Sequence, residues 1–247
     1  MSKEQELVKN ILCSLPVAKD SVLLVHSAIR GLSHQGYRAE ALIEALITHV
    51  SSGTLLMPTM TWRTVTPANP VWDEMATPSH TGIMSEIFRT GYATHRSLHP
   101  THSVAGWGKH SQVLLAGHHL GTTPVPATSP YGLMRDYPSY ILLLGVGLEM
   151  CTAIHHPEEM VAPDLYVKSI EESEPYILQT RNGSVIEYRL RRHQRLPRNF
   201  VKFHPNLLVH GMSSGSQDGV EWHFFRLSEL MKIVNSRLIN CPTGTLG

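Results

Sequence analysis

The sequence predicts an α/β fold: a mixed sheet flanked by helices, with a parallel N-terminal βαβ part and an antiparallel hairpin late in the chain. Three observations carry that expectation. The first third alternates compact apolar runs with helical stripes. Near the middle, Tyr140-Ile141-Leu142-Leu143-Leu144-Gly145-Val146-Gly147 is an apolar run ending in glycines, the pattern of a buried strand. Later, Tyr176 to Thr180 and Val185 to Leu190 flank Arg181-Asn182-Gly183-Ser184, and Asn-Gly between two such runs signals a hairpin.

Taken in order, Leu7, Val8, Ile11 and Leu12 recur at helical spacing between Glu4 and Leu15, and Pro16 ends that helix. Ser21 to His26 is a compact β-like run, followed by a small-residue loop from Ser27 to Gly36. Ala41, Leu42, Ala45, Leu46 and Val50 then form one stripe of a helix from Arg38 to Val50, closed by Gly53. Thr54 to Met57 supplies the next strand, which makes the βαβ unit with parallel pairing. Thr59 to Thr81 has no periodicity and holds Pro67, Pro70 and Pro78 together with Trp62 and Trp72. A loop this long and aromatic reads as an ordered functional cover. Short helices are expected at Ile83 to Arg89, His110 to His119 and from Thr128-Ser129-Pro130. Leu227 to Leu238 reads as a closing helix, and Asn240 to Gly247 as a frayed tail.

The totals exclude several classes. The 247 residues suffice for one core and are read as a single domain, residues 1–247. Hydrophobic content of 42% with 17% charged residues describes a folded, soluble chain, and a net charge of +1 gives no field for nucleic acid or an anionic membrane. No secretory h-region or long apolar span is present, and Cys13, Cys151 and Cys241 are too scattered for a disulfide framework, so a cytoplasmic protein with reduced thiols is expected. Nothing in the sequence fixes an oligomeric state, a homodimer among the options.

Chemistry concentrates in Cys151-Thr152-Ala153-Ile154-His155-His156-Pro157-Glu158-Glu159, immediately after the glycine-ended strand. Loops at strand ends are where catalytic groups of open α/β sheets collect. On a helix His155 and Glu158 share a face, and a carboxylate that fixes an imidazole's tautomer suits a general base. The same nine residues also read as a solvated helix start with an acidic first turn. A second segment, Arg96-Ser97-Leu98-His99-Pro100-Thr101-His102-Ser103-Val104, mixes hydroxyls and imidazoles among small residues that let a ligand approach the backbone; it reads equally as a capped turn.

Val25-His26-Ser27, Gly53 to Thr59, Arg96-Ser97 with His99-Pro100 and His102-Ser103, Ser129-Pro130, Leu142 to Gly145, and Thr152 with His155-x-x-Glu158 resemble, in order and spacing, the aminoglycoside 3-N-acetyltransferase family. The resemblance implies that family's own α/β fold, acetyl-CoA as co-substrate, a small-molecule amine as partner and no metal. It implies His155 as base and Glu158 as its supporting carboxylate, with His156 and Glu159 as the alternative register. An amine attacks a thioester only when unprotonated, so a base near the nitrogen is needed. The residues expected to meet the donor are His26, Ser27, Ala28, Arg30, Arg96, His102, Ser103 and Val104, with backbone N–H groups at Ser27-Ala28 or Ser103-Val104 facing the developing oxyanion. Trp62, Asp73, Glu74 and Glu159 are expected to meet the acceptor, and Glu171, Glu172 and Glu174 add carboxylates for a polycation. Two departures from the family pattern stand out: Ser27-Ala28 where Ser-Ser is frequent, and Arg198-Asn199-Phe200 where an Asp precedes Phe.

Other readings rest on smaller signals. Gly211-Met212-Ser213-Ser214-Gly215 with Asp218 and His223 follows the order of a serine hydrolase, but Gln217-Asp218-Gly219 breaks the helix a nucleophile elbow needs. His99, His102, His155, His156 and Glu158 could ligate a metal in a hydrolase. Cys151 near His155 could carry an acyl group, or be a buried spectator.

Overall fold

The computed structural model describes residues 1–247. In chain order the elements are α1 (Lys3–Leu12), β1 (Val22–Ser27), α2 (Arg30–His34), α3 (Ala39–His49), β2 (Thr54–Pro58), β3 (Val71–Asp73), α4 (Ile83–Gly91), β4 (His95–Arg96), β5 (Val104–Gly108), α5 (Ser111–Ala116), α6 (Pro130–Leu133), β6 (Ser139–Leu144), α7 (His155–Val161), α8 (Pro163–Tyr166), β7 (Glu174–Gln179), β8 (Val185–Leu190), α9 (His204–Val209), β9 (Ser213–Gln217), β10 (Val220–Arg226) and α10 (Leu227–Asn240).

Seven strands form one sheet in the order β4-β5-β2-β1-β6-β10-β9. At its centre β1 pairs parallel with both β2 and β6, and every residue of these three strands is buried. Near-continuous apolar runs are what a parallel strand covered on both faces requires. Alternate residues serve opposite faces. Leu23 and Val25 join Leu42, Leu46 and Phe88 of α3 and α4, whereas Val22 and Leu24 join Tyr131, Ile154 and Leu230 on the other side. The result is three layers, helix on sheet on helix.

The Asn-Gly hairpin is present, with Gly183 at φ +83°, but β7 and β8 stand outside this sheet. They form a separate three-stranded sheet with β3, which pairs with β7, around Trp72, Tyr176 and Tyr188. The antiparallel strands beside β6 come instead from β9 and β10. Sequence patterning missed that hairpin because β9 is Ser213-Ser-Gly-Ser-Gln217, an edge strand with almost nothing to bury. Its turn places Asp218 at φ +50° and Gly219 at φ +79°, a primed hairpin turn.

The loop after β2 is ordered and pinned from beneath. Arg96 is only 5% exposed, and its guanidinium donates to the carbonyls of Thr59, Glu74 and Thr77 and to the hydroxyls of Thr59 and Ser103, while its plane lies 4.8 Å from the Trp72 ring. The expected frayed C-terminus is likewise anchored: Thr245 is fully buried, and Leu246 bridges to Arg198.

Candidate active site

The carboxyl ends of β1, β2 and β6 open on one edge of the sheet, together with the start of β5, which runs antiparallel to β2. Gly145 makes the turn off β6 at φ +68°; a Cβ there would lie 2.3 Å from the Ala28 carbonyl, so only glycine lets the ends of β1 and β6 converge. Two short 3-10 turns, Leu148–Met150 and Thr152–Ile154, then carry the chain into α7. This is the crevice at which open α/β sheets hold ligands.

The first turn of α7 brings together His155 and Glu158, as their spacing predicts. His155 Nδ1 lies 2.7 Å from Glu158 Oε2. An ionised carboxylate only accepts, so Nδ1 carries a proton, and in the neutral ring Nε2 is the nitrogen with the lone pair. Nε2 makes no protein hydrogen bond and is not sealed from solvent. Glu158 has no exposure of its own and is held by three groups: the His155 ring, the Arg198 guanidinium at 3.3 Å and the Thr245 hydroxyl. Burial pushes this carboxyl up, but the His155 hydrogen bond and charge, Arg198 and Thr245 together outweigh it, and its pKa lies below the ordinary value. The Thr245 hydroxyl also lies 2.7 Å from that of Tyr166, which reaches the Pro242 carbonyl.

The alternative register does not form. His156 Nδ1 donates to the Val125 carbonyl at 2.9 Å, and Glu159 turns to His193, whose Nε2 lies 2.7 Å from Oε1. The Val125 N–H donates to the same oxygen, and Oε2 is buried without a partner. Burial therefore pushes Glu159 up to about 7. The His193 ring packs 4.5 Å from His155, and the Phe200 ring meets His155 from 5.1 Å at a steep angle. His102 lies 5.5 Å beyond His193, its Nδ1 bound to the Thr101 hydroxyl, and His99 and His118 stack behind it at 4.4 Å. Sequence reasoning singled out His102 but missed His193, Arg198 as a partner of Glu158, and Thr245. None of these has a local signal; each reaches α7 across 34 residues or more.

The residues expected to meet the donor divide. His26 and Ser27 end β1, buried, with His26 Nε2 and Ser27 Oγ unpartnered, and burial pushes the His26 imidazole down to about 4. Ala28 and Arg30 are exposed beside them at the start of α2. Arg96 is otherwise occupied: burial lowers its pKa to about 9, and its donors hold the loop described above. Ser103 Oγ donates to the Thr59 carbonyl. Of the expected oxyanion donors, the Ala28 N–H binds the Leu144 carbonyl and the Val104 N–H binds the Ser97 hydroxyl, so neither is free.

The acceptor carboxylates expected from the tryptophan loop serve the loop itself. Asp73 accepts the N–H groups of Met75 and Ala76, and Glu74 forms a 2.6 Å ion pair with Arg181. Glu174 binds Lys168, and Trp62 is exposed with its ring on His80. Two exposed carboxylates sit elsewhere. Glu149 and Glu221, with His204 and His223, line an open cleft of about 420 Å³ beside Gly147, Leu148 and Val201. Phe200, which touches His155, directly precedes Val201 of that cleft.

The smaller readings fare poorly. Ser213 lies on an edge strand, not at a strand-to-helix elbow; Ser214 pairs with His223 across the hairpin, and Asp218 accepts from Tyr37. No three His, Cys, Asp or Glu side chains converge with metal-ligand spacing, and His99 and His156 spend ring nitrogens on backbone groups. Burial pushes the Cys151 thiol up to about 12, which leaves it without thiolate character.

The sequence model of the family Aminoglycoside 3-N-acetyltransferase matches residues 24–239. The chain belongs to that family. It is an acyltransferase, and the chemistry of the family is acyl transfer to an amine. Among curated relatives, the prophage-derived aminoglycoside N(3')-acetyltransferase-like protein YokD of Bacillus subtilis is 26% identical over 263 residues, covering 96% of this chain and 93% of its own. Among solved structures, a histidine-to-alanine mutant of aminoglycoside acetyltransferase AAC(3)-IVa in complex with gentamicin superposes with a TM-score of 0.81 at 22% identity, over 100% of this chain and 93% of that one. AAC-IIIb as a binary complex with CoASH gives 0.77 at 18% identity over 96% of each chain. At these identities the superpositions establish the fold. No helix is long and apolar enough to cross a membrane.

Proposed function

We propose that this chain transfers the acetyl group of acetyl-CoA directly to an amine, the 3-amino group of an aminoglycoside, with His155 as general base and Glu158 as the carboxylate that orients it. The observation that carries the reading is the 2.7 Å bond from His155 Nδ1 to a buried, multiply held carboxylate, with Nε2 left unbonded and open. Such a ring presents a lone pair of fixed tautomer, and Glu158 stabilises the imidazolium formed when Nε2 takes the proton from the attacking nitrogen.

Acetyl-CoA supplies an activated acyl thioester. The residues that fit it are those at the end of β1, where Ser27 Oγ is buried and unpartnered and where Ala28 and Arg30 are exposed, together with His102 beside His193. The CoASH complex of AAC-IIIb, a protein of the same fold, supports that choice of donor. For a cationic acceptor, Glu149 and Glu221 are the carboxylates exposed on the open cleft, whereas Asp73 accepts N–H groups of its own loop and Glu74 is paired with Arg181.

Release of CoA thiol from acetyl-CoA, followed over a panel of aminoglycosides and simpler amines, tests the reading. His155→Ala is expected to lower turnover by about 10²-fold or more while CoA binding is retained. Full turnover in that variant would overturn the assignment. Glu221→Gln is expected to raise KM for polycationic acceptors by several-fold and to leave kcat for a simple monoamine unchanged.

A further inference from the structure

We propose that His193, fixed by Glu159, is a positioning residue for His155, forming the wall that sets the plane of its ring. The inference rests on the reading of His155 as base and adds a residue that the His-x-x-Glu pattern does not contain.

A single hydrogen bond at Nδ1 leaves an imidazole free to pivot about that bond, and a general base must hold its lone pair within about 10–20° of the working direction. The pivot is closed from two sides. The His193 ring lies 4.5 Å from His155 at an interplanar angle of 36°, and Phe200 meets it at 5.1 Å. His193 comes from a segment without regular secondary structure, yet its backbone is fixed on both flanks: the Lys168 N–H donates to the Arg192 carbonyl at 2.9 Å, and the Gln194 N–H to the Tyr166 carbonyl at 2.7 Å. Its ring is fixed by the 2.7 Å bond to Glu159, and Glu159 in turn by the Val125 N–H. Two His–Glu pairs thus meet ring against ring at the first turn of α7.

The second pair also has a charge of its own to contribute. The titratable groups around Glu159 are His155 and His156 on α7, His193, Arg192 and Arg198 on the 191–199 segment, His102 ahead of β5, and Tyr188 on β8. Burial, then the charges of His155 and Arg198, keep His193 well below the ordinary imidazole value, so it stays neutral beside a protonated His155. Glu159, pushed up to about 7, gains its negative charge near neutral pH, and that charge favours the imidazolium of His155.

The test compares three variants by CoA release with one fixed amine acceptor. His193→Ala is expected to lower kcat about tenfold, with KM for both substrates within about twofold, because the loss is one of orientation. His193→Phe, which restores a flat wall without a titrating group, is expected to recover most of that kcat. Glu159→Gln keeps the wall and removes that charge, so its kcat–pH profile should depart from the wild-type profile near pH 7 while the rise that belongs to His155 as base remains. An activity-independent readout is the downfield Nδ1–H proton signal of His155, assigned by its loss in His155→Ala: it should broaden in His193→Ala and stay sharp in His193→Phe. Wild-type kcat and an unchanged signal in His193→Ala would overturn the inference, as would a Phe variant no better than Ala. If His193→Ala fails to fold, the Phe variant and the pH profile of Glu159→Gln carry the test. Turnover that depends on His155 but not on His193 defeats only this inference, whereas turnover independent of His155 defeats the base assignment itself.

Discussion

Glu158 and Glu159 are consecutive residues on one helical turn, both sealed from solvent, and both bonded to an imidazole at 2.7 Å. Their protonation behaviour is nevertheless opposite. Glu158 lies below the ordinary carboxylate value because His155, Arg198 and Thr245 serve its two oxygens. Glu159 is pushed up to about 7 because burial outweighs Thr123, the Val125 N–H and the charges of His155 and His156, while the Val125 N–H and His193 crowd onto one oxygen. Burial alone therefore does not set the charge of a carboxylate; the number and sign of the partners that replace its water do. The chain uses the difference to keep one permanent anion beside the open imidazole and one that appears only near neutral pH.

The strongest way to break this contrast is to remove the better-held carboxylate. Glu158→Ala leaves the Arg198 guanidinium, itself only 13% exposed, without its counter-charge and His155 Nδ1 without an acceptor. A loss of about 3–5 kcal/mol in denaturant unfolding is expected, as for breaking other buried pairs. A loss below about 1 kcal/mol would mean that Glu158 is not held as described.

The next effect separates the pair by pH. The folded-state pKa of Glu159 lies above its ordinary value of 4.5, so between these values the folded state binds more protons than the unfolded state. Its stabilising contribution is present at pH 4.5 and below and is lost as pH rises to about 7. The stability of the wild type relative to Glu159→Gln should accordingly fall by up to about 3 kcal/mol between pH 4.5 and 8. The difference matters because His26 and His118, each pushed down to about 4 by burial, impose the opposite trend on both proteins, a loss of stability as pH falls from 6.5 toward 4. A flat difference between the two unfolding curves would show that Glu159 is ionised like its neighbour.

A smaller effect sharpens the account of Glu158. Thr245→Val removes one donor from its carboxylate and leaves the fold otherwise covered, for an expected cost of about 1–2 kcal/mol. A frayed tail would give no measurable change, so thermal or urea unfolding decides between the two descriptions.

The same contrast marks how far the sequence could be read. The His155–Glu158 contact was legible because both residues lie on one turn, where spacing alone dictates proximity. The central strands were legible because parallel pairing under two helical layers demands continuous apolar runs. Arg96, Asp73 and Glu74 show the limit for a common reason: sequence displays a charge but not what already engages it, and all three help to pin the loop between β2 and α4. The Asn-Gly hairpin was found, yet its sheet was not, since a turn fixes register within a pair and says nothing about which third strand will join it. The 240–247 segment looked like a tail because its few apolar residues show no periodicity, and only its position against Tyr166 and Glu158 gives it work to do.

By itself, then, the sequence determined what is local: the alternation of strands and helices, the glycine turn off β6, and the imidazole and carboxylate one helical turn apart. Those features follow from backbone sterics and side-chain period, which act over a few residues. Tertiary structure decided the rest: Arg198 and Thr245 on one carboxylate, His193 on the next, and the exposed Glu149 and Glu221 on the nearby cleft. These depend on which distant segments displace water from α7 and its surroundings, and no interaction within a short stretch of chain can specify that.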